Sequence, residues 1–457
     1  VIGFLSGLLT NARRRNELGL FIVGALVIFF GFVLVSLARS NSLPHNTILF
    51  VVGLIVAIVA IQAINRRYIP DADPVLMPLA LLLNGIGYIM ISRLDPTAAG
   101  QQLAWTVIGI VVYGVVVATI HQVTDLQRFR YILLLLAFIL LVAPIAPVIG
   151  YSEGGARLWV HFHSLDFQPV EIAKIFLVIF FASYFIEKRE LLSIATRRIG
   201  NHLVPDPRAL SPILVAAALS LMIILAEHDI GFSLLLFVVF LSMLWVSTGR
   251  WTYLAIGLVL FVFATFVASH LLAQVHERIL NWINPWAQYN APGQPGYQPV
   301  QGELALGRGG LGGAGLGLGN PTVIPANTSD FIFASIGEEL GLFGVTGIIV
   351  AYMLIVAAGI RASLHAQSEF AKLCAFGLIA TFGFQAFFIM AGVVRVLPLT
   401  GITLPFVSYG GSSLVANYAL FALLMRISDE ANRPDDQFEA PNWLITEGDA
   451  VIGTGGR

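Results

Sequence analysis

Twelve apolar runs of about 16–21 residues divide this chain, each long enough to cross a hydrocarbon layer of ~30 Å as a helix. They lie near 18–37, 47–64, 75–91, 103–120, 131–149, 169–186, 212–227, 230–247, 252–271, 342–360, 373–394 and 405–425. Soluble domains carry roughly 25% charged residues. Here 11% are charged, 57% are hydrophobic and the mean hydropathy is +0.85, which excludes an ordinary soluble protein. The expected fold class is an all-α polytopic membrane protein of about 12 transmembrane helices.

Charge placement orients the spans. With the amino terminus inside and strict alternation, eighteen of the 25 Lys and Arg fall on the inner side, among them Arg13, Arg14, Arg15, Arg66, Arg67, Arg426 and Arg433. Six fall outside, and Lys174 lies within a span. The positive-inside rule then puts both termini in the cytoplasm. The break at Glu227-His228-Asp229 separates the seventh and eighth runs; merging them would carry Arg250, Arg361 and Lys372 outside. Residues 1–10 are apolar but precede the arginines, the reverse of a secretory signal, so the first span reads as a retained anchor. A net charge of −1 gives no sign of nucleic-acid binding, and the single Cys374 permits no internal disulfide.

Three connections stand out. The inner loop 187–211 is basic and reads as a solvated connector, and the tail 429–457 is acidic and expected to be disordered. The outer loop 272–330 holds Trp282, Trp286 and a glycine-dense stretch from Gly302 to Gly319. Loops of that length are functional or disordered, and the aromatic content favours packing on the outer membrane face. Its glycines fit either close backbone packing at φ > 0 or a mobile lid. Gly307 to Gly312 matches a GxGxxG pattern but lacks the preceding strand, so dinucleotide binding is rejected. There is no convincing internal repeat of the kind that builds many secondary transporters.

Several segments could carry chemistry. Arg157 and Trp159 in Gly155-Ala156-Arg157-Leu158-Trp159 fit an interfacial anchor or a bidentate diphosphate clamp. Glu171 and Lys174 are three apart, on one helix face just inside the outer end of a span. Ionisable residues at that depth need a partner or water; the pair is either a structural lock or a headgroup site. Glu227 and Asp229 flank His228 and are candidate ligands for a divalent cation. Asp330 precedes a helix, where it reads as an N-cap or as a base. Arg157, Glu171, Lys174, Asp229, Asp330 and Arg395 all fall at or just below the outer face in the assigned topology, where a site meets lipid headgroups.

The stretch from Arg395 to Asn417, RVLPLTGITLPFVSYGGSSLVAN, breaks the backbone between two apolar runs with two prolines and three glycines. Non-helical backbone at membrane depth persists only where protein or a wet cavity satisfies it. This stretch resembles the C-terminal signature of the SEDS proteins (shape, elongation, division and sporulation), the RodA/FtsW group. Four further segments resemble that family's motifs in order: Gly155 to Trp159, Phe167-Gln168-Pro169 to Lys174, Glu227 to Gly231, and Ser329-Asp330-Phe331-Ile332 with Gly337-Glu338-Glu339-Leu340-Gly341. Ser329 stands where Thr is usual, and Val170 where a small residue is usual. The resemblance implies a ten-helix core at 75–428 that includes the loop 272–330. It leaves two added transmembrane helices within 1–74 and the tail 429–457, as in the RodA-like branch found in actinobacteria.

The function implied is that of a peptidoglycan glycosyltransferase that polymerises lipid II at the outer face of the bacterial cytoplasmic membrane, during elongation or division. The resemblance makes Asp330 the catalytic acidic residue. It offers Arg157, Trp159, Glu171, Lys174, Arg395, Ser408 and Ser412 as substrate-binding positions. No cofactor is fixed by it, although a divalent cation (Mg or Mn) could share the leaving-group role. The implied partners are lipid II, a class B penicillin-binding protein acting as transpeptidase, and other proteins of an elongation or division complex. Two rival readings are a lipid II flippase and an inactive scaffold of such a complex.

Overall fold

The structure, a computed structural model, describes residues 12–40, 47–145, 150–153, 156–162, 165–193, 197–199, 202–204, 230–291 and 293–433, with side chains within 39–40, 151–158, 161–166, 193–204 and at 191, 230 and 271 outside that description. The apolar runs fold as helices: α1 (Ala12–Ser40), α2 (Thr47–Tyr68), α3 (Leu76–Leu94), α4 (Pro96–Thr119), α5 (Arg130–Val142) and α6 (Val170–Glu187). After them come α7 (Ile230–Thr248), α8 (Trp251–Leu271), α9 (Ala273–Ile283), α10 (Tyr297–Gly309), α11 (Ile332–His365), α12 (Glu369–Val393) and α13 (Gly411–Asn432). Ten helical segments among the described residues are long and apolar enough to cross a membrane, so the chain is a multi-pass helical membrane protein. The helix α6 occupies the expected sixth run, whereas the seventh run, 212–227, lies outside the described residues.

Burial sorts the helices. α13 is enclosed along almost its whole length, and α6 and α12 bury most of their residues, so these form the centre. α2, α5 and α8 instead present Val56, Leu135 and Phe263 outwards, at 59, 60 and 64% exposure, as lipid-facing helices should. α1 and α2 are tied to each other at one end, where Glu17 accepts hydrogen bonds from Arg14 (2.7 Å), Gln62 (2.9 Å) and Asn65 (2.7 Å), and to α4 where the Tyr113 hydroxyl donates to Asn65 Oδ1 (2.5 Å).

Two departures from the sequence reading concern the loops read there as outer. Residues 150–167 form a three-stranded antiparallel sheet, β1 (Gly150–Glu153), β2 (Ala156–Phe162) and β3 (Leu165–Phe167), with Tyr151 opposite Trp159 and His161 opposite Asp166. The all-α expectation holds for the membrane body but not for this small cap. The loop 272–330 contains α9, a short helix Pro285–Tyr289 and α10, with its glycine-dense part fastened by backbone bonds. Ala314 and Gly315 donate to the carbonyls of Glu338 (2.9 Å) and Glu339 (3.0 Å), and Leu342 donates to Gly310 (2.9 Å). Gly341, at φ +64°, opens α11 to receive the loop; a Cβ there would stand 2.2 Å from the Gly313 nitrogen. The glycines are needed for close backbone approach.

Candidate active site

The stretch Pro398–Tyr409 between α12 and α13 is non-helical and largely buried, so its backbone groups need partners from within the protein. They find them. Arg278 Nη1 on α9 donates to the carbonyls of Leu399 (3.2 Å) and Thr400 (2.8 Å). Gln385 Nε2 on α12 donates to the Thr403 carbonyl (3.0 Å), and the Tyr352 hydroxyl donates to Pro405 (2.6 Å). Ser408 Oγ accepts from the Leu404 amide (2.9 Å) and donates to the Ser329 carbonyl (2.7 Å). The Tyr409 amide donates to Thr328 (2.8 Å). These last two bonds hold the segment carrying Asp330 against the stretch.

Asp330 therefore sits at Gly401. A Cβ on that glycine (φ +74°) would stand 3.4 Å from Arg278 Nη2 and 3.9 Å from Asp330 Oδ2, so guanidinium and carboxylate approach the same point. The space exists because the residue has no side chain. Gly231, at the start of α7, packs on the same turn, where a Cβ would meet the Thr400 carbonyl at 2.4 Å. Asp330 does not cap a helix: α11 begins with Phe331 at its mouth and no side-chain cap, which overturns the N-cap reading. None of the described residues donates a hydrogen bond to the Asp330 carboxylate. The group is half-buried, and this desolvation pushes its pKa from 3.8 up to about 6, with the Arg278 charge pulling the other way. Such a carboxylate is ionised at neutral pH, retains open lone pairs and is basic enough to take a proton.

Glu171 and Lys174 reach the stretch from its other side. Both are fully buried on α6 and form an ion pair. Lys174 Nζ also donates to Gln385 Oε1 (2.7 Å) and lies 5.6 Å from the Phe232 ring centre. Gln385 passes the contact to Thr403, whose hydroxyl donates to Ser413 Oγ (2.8 Å). Residues 401–403 thus connect the Asp330–Arg278 corner to the Glu171–Lys174 helix. Glu171 Oε1 and Ser412 Oγ are buried without a hydrogen-bond partner among the described residues.

The remaining sequence candidates are placed as follows. Trp159 is half-buried on β2, and the side chain of Arg157 lies outside the described residues. Arg395, at φ +60°, donates to Glu303 Oε1 on α10 (2.7 Å), and its carbonyl accepts from Trp282 Nε1 (3.2 Å). That puts it in an ion pair at the rim, with Arg278 as the guanidinium beside Asp330. Among the described residues no group of three His, Cys, Asp or Glu gathers, and Asp330 has an arginine beside it; the cation candidates Glu227 and Asp229 fall outside those residues. Sequence reasoning missed Arg278, Gln385 and Thr403.

With this geometry in hand, comparison with known proteins is informative. Residues 72–433 match the cell cycle protein family FtsW/RodA/SpoVE. The chain belongs to that family. It is 37% identical over 433 residues, 92% of each chain, to the peptidoglycan glycosyltransferase RodA of Mycobacterium tuberculosis, and α1 and α2 precede the family match. It is 30% identical to a probable peptidoglycan glycosyltransferase FtsW of Geobacter metallireducens, over 80% of this chain and 96% of that one. Among solved structures it resembles a chain from work on the coordination of polymerization and crosslinking by a peptidoglycan synthase complex (TM-score 0.64, 23% identity, 79% of this chain and 99% of that chain). It also resembles RodA of Thermus thermophilus (TM-score 0.58, 21% identity, 79% of this chain and 98% of that one). At such identities these two likenesses concern the fold.

Proposed function

We propose that this protein is a peptidoglycan glycosyltransferase that polymerises lipid II at the outer face of the cytoplasmic membrane. The observation that carries the reading is the Asp330–Arg278 corner at Gly401, an unbonded carboxylate beside a guanidinium on a buried, irregular stretch. Asp330 takes the proton from the attacking sugar hydroxyl. That oxygen bonds to the anomeric carbon of the donor as the bond to the diphosphate breaks, inverting an α-donor to a β-linkage. Arg278 stands where the departing negative charge needs a cation, and Arg157 shares this task from β2.

Lys174 stands one layer behind, joined to the site through Gln385, with Glu171 fixing it. Trp159, Arg395, Ser408 and Ser412 complete the substrate-binding surface: Ser408 sets the backbone that carries Asp330, and Ser412 retains an unbonded hydroxyl. No step is routed through a metal. The topology that fits this chemistry has twelve spans, both termini cytoplasmic and α9 to α10 on the outer face, with α1 and α2 added to a ten-helix core. A class B penicillin-binding protein is the partner that supplies crosslinking.

Purified protein with labelled lipid II, with and without its co-purified partner, tests the reading. Glycan ladders are the expected product. Headgroup translocation in vesicles without ladders would instead mark a flippase, and neither activity would mark a scaffold.

A further inference from the structure

A second polar site lies at the far end of α13. A cavity of about 350 Å³ opens between the ends of α2, α4 and α13, lined by Arg67, Tyr68, His121, Gln122, Arg426 and Arg433. It falls at the small end of the ~300–1,000 Å³ range of ligand pockets. Three arginines and a histidine face it, and among the described residues no carboxylate lines it, although Glu430 lies close enough to act on Arg426 and Arg433. The 22 residues of α13 separate it from the Asp330 site by roughly 33 Å at 1.5 Å per residue.

The charges around this cavity are unbalanced. Asp429, fully buried behind it, is shared by Arg433 (2.6 Å) and Arg426 (3.6 Å), and its other oxygen accepts from the Asp71 amide (2.9 Å). Glu430 is turned to the Val123 amide (3.0 Å). Arg67 is exposed and has no ion-pair partner among the described residues. Arg426 is only 4% exposed and is braced by the carbonyls of Tyr68 and Val117, yet its Nε has no hydrogen-bond partner among the described residues. A buried guanidinium N–H left unbonded is costly, and it belongs to a side chain that lines the cavity. That Nε has no accessible surface, so an anion seated in the cavity would pair with the exposed Arg67 and the half-exposed Arg433 beside it.

The surroundings point to a lipid as the source of that anion. Along the membrane from the cavity, α2 exposes Val52, Val56 and Val59, and α4 exposes Val107, Val111 and Val115, each 49–59% exposed. These apolar faces suit acyl chains beneath a bound headgroup, and basic pockets between helix ends hold anionic headgroups elsewhere. We propose that this cavity binds the phosphate of an anionic lipid from the leaflet opposite the Asp330 site. In the topology proposed above that leaflet is cytoplasmic. A free phosphate shares the chemistry, and the acidic segment 434–457 that follows Arg433 is a rival occupant.

The test uses the full chain in detergent, titrated separately with phosphatidylglycerol, phosphatidylcholine and inorganic phosphate, with bound lipid read by native mass spectrometry. Phosphatidylglycerol is expected to bind at least about tenfold more tightly than phosphatidylcholine. Arg67→Ala should lose most of that preference and Arg67→Glu all of it; both should fold, because Arg67 is exposed and pairs with none of the described residues. Retention of the preference in Arg67→Glu, or equal binding of the two lipids, overturns the proposal. Saturation by inorganic phosphate with no gain for the lipid assigns the site to a soluble anion, which also overturns it. Binding that appears only when Asp435→Asn, Asp436→Asn and Glu439→Gln are introduced together makes the chain's own tail the occupant, with the same consequence. Because the readout is lipid retention, it is independent of polymerisation.

Discussion

Asp330 and the pair Glu338–Glu339 are carboxylates of one continuous segment, and the fold treats them in opposite ways. Glu339 accepts from the Gly317 amide (2.8 Å) and pairs with Arg93 (2.5 Å); Glu338 accepts from the Asn320 amide (3.2 Å) and pairs with Arg308 (3.0 Å). They fasten the glycine-dense loop to the break in α11. Asp330 receives no hydrogen bond from the described residues, has Arg278 close by and is left half-open. The glutamates are each tied by an ion pair and a backbone amide, although Glu338 Oε2 and Glu339 Oε1 accept no hydrogen bond from the described residues; Asp330 has neither tie, which makes it the candidate for chemistry.

The largest effect should fall on Asp330. Asp330→Asn is expected to lower the polymerisation rate by roughly 10²–10⁴-fold, the usual contribution of a general base. Stability should not fall with it. The folded-state pKa lies above 3.8, so the charged form costs stability as pH rises through about 6, and the amide removes that cost. Thermal melting at neutral pH should be equal or higher for the variant; a marked drop would recast Asp330 as a structural group.

Next comes the buried pair on α6. Lys174→Met strands Glu171 and should cost about 3–5 kcal/mol of stability, read by melting, while Glu171→Leu combined with Lys174→Met should recover much of it. Polymer made by the recovered double variant at the wild-type rate would confine the pair to a structural role. Arg278→Gln should reduce kcat/KM for lipid II by roughly 10²-fold if its charge stabilises the leaving diphosphate. The smallest effects belong to the loop clamp. Arg308→Ala leaves the 2%-exposed Glu338 with only the Asn320 amide, and should cost about 1–3 kcal/mol of stability while leaving the rate per folded molecule intact.

Legibility followed the kind of information each residue carries. Helix positions, Asp330, and the Glu171–Lys174 spacing could be read because apolar length and i,i+3 geometry are local properties. Arg278 could not, because what distinguishes it is contact with Leu399 and Thr400, more than a hundred residues away in sequence. A basic residue on the polar face of the 273–283 helix was the available signal, and many solvated arginines share it. The same holds for Arg395, whose pairing with Glu303 depends on how α10 docks. The sheet at 150–167 escaped because strands of three to seven residues leave too little alternation beside an apolar run. The glycine loop offered two readings, and only the carbonyl contacts at Gly309, Gly313 and Gly341 decide for close packing.

Asp330 is proposed as the base because burial raises its pKa while no described residue donates a hydrogen bond to it. The pH profile of kcat/KM for lipid II polymerisation tests this most directly. With the deprotonated form active, the rate should fall about tenfold per unit as pH drops below about 6 and level off above it. Arg278→Gln should move that limb to higher pH, since the arginine's charge lowers the carboxyl's pKa. A profile that stays flat from well below 6 to neutrality, in both proteins, would contradict the account.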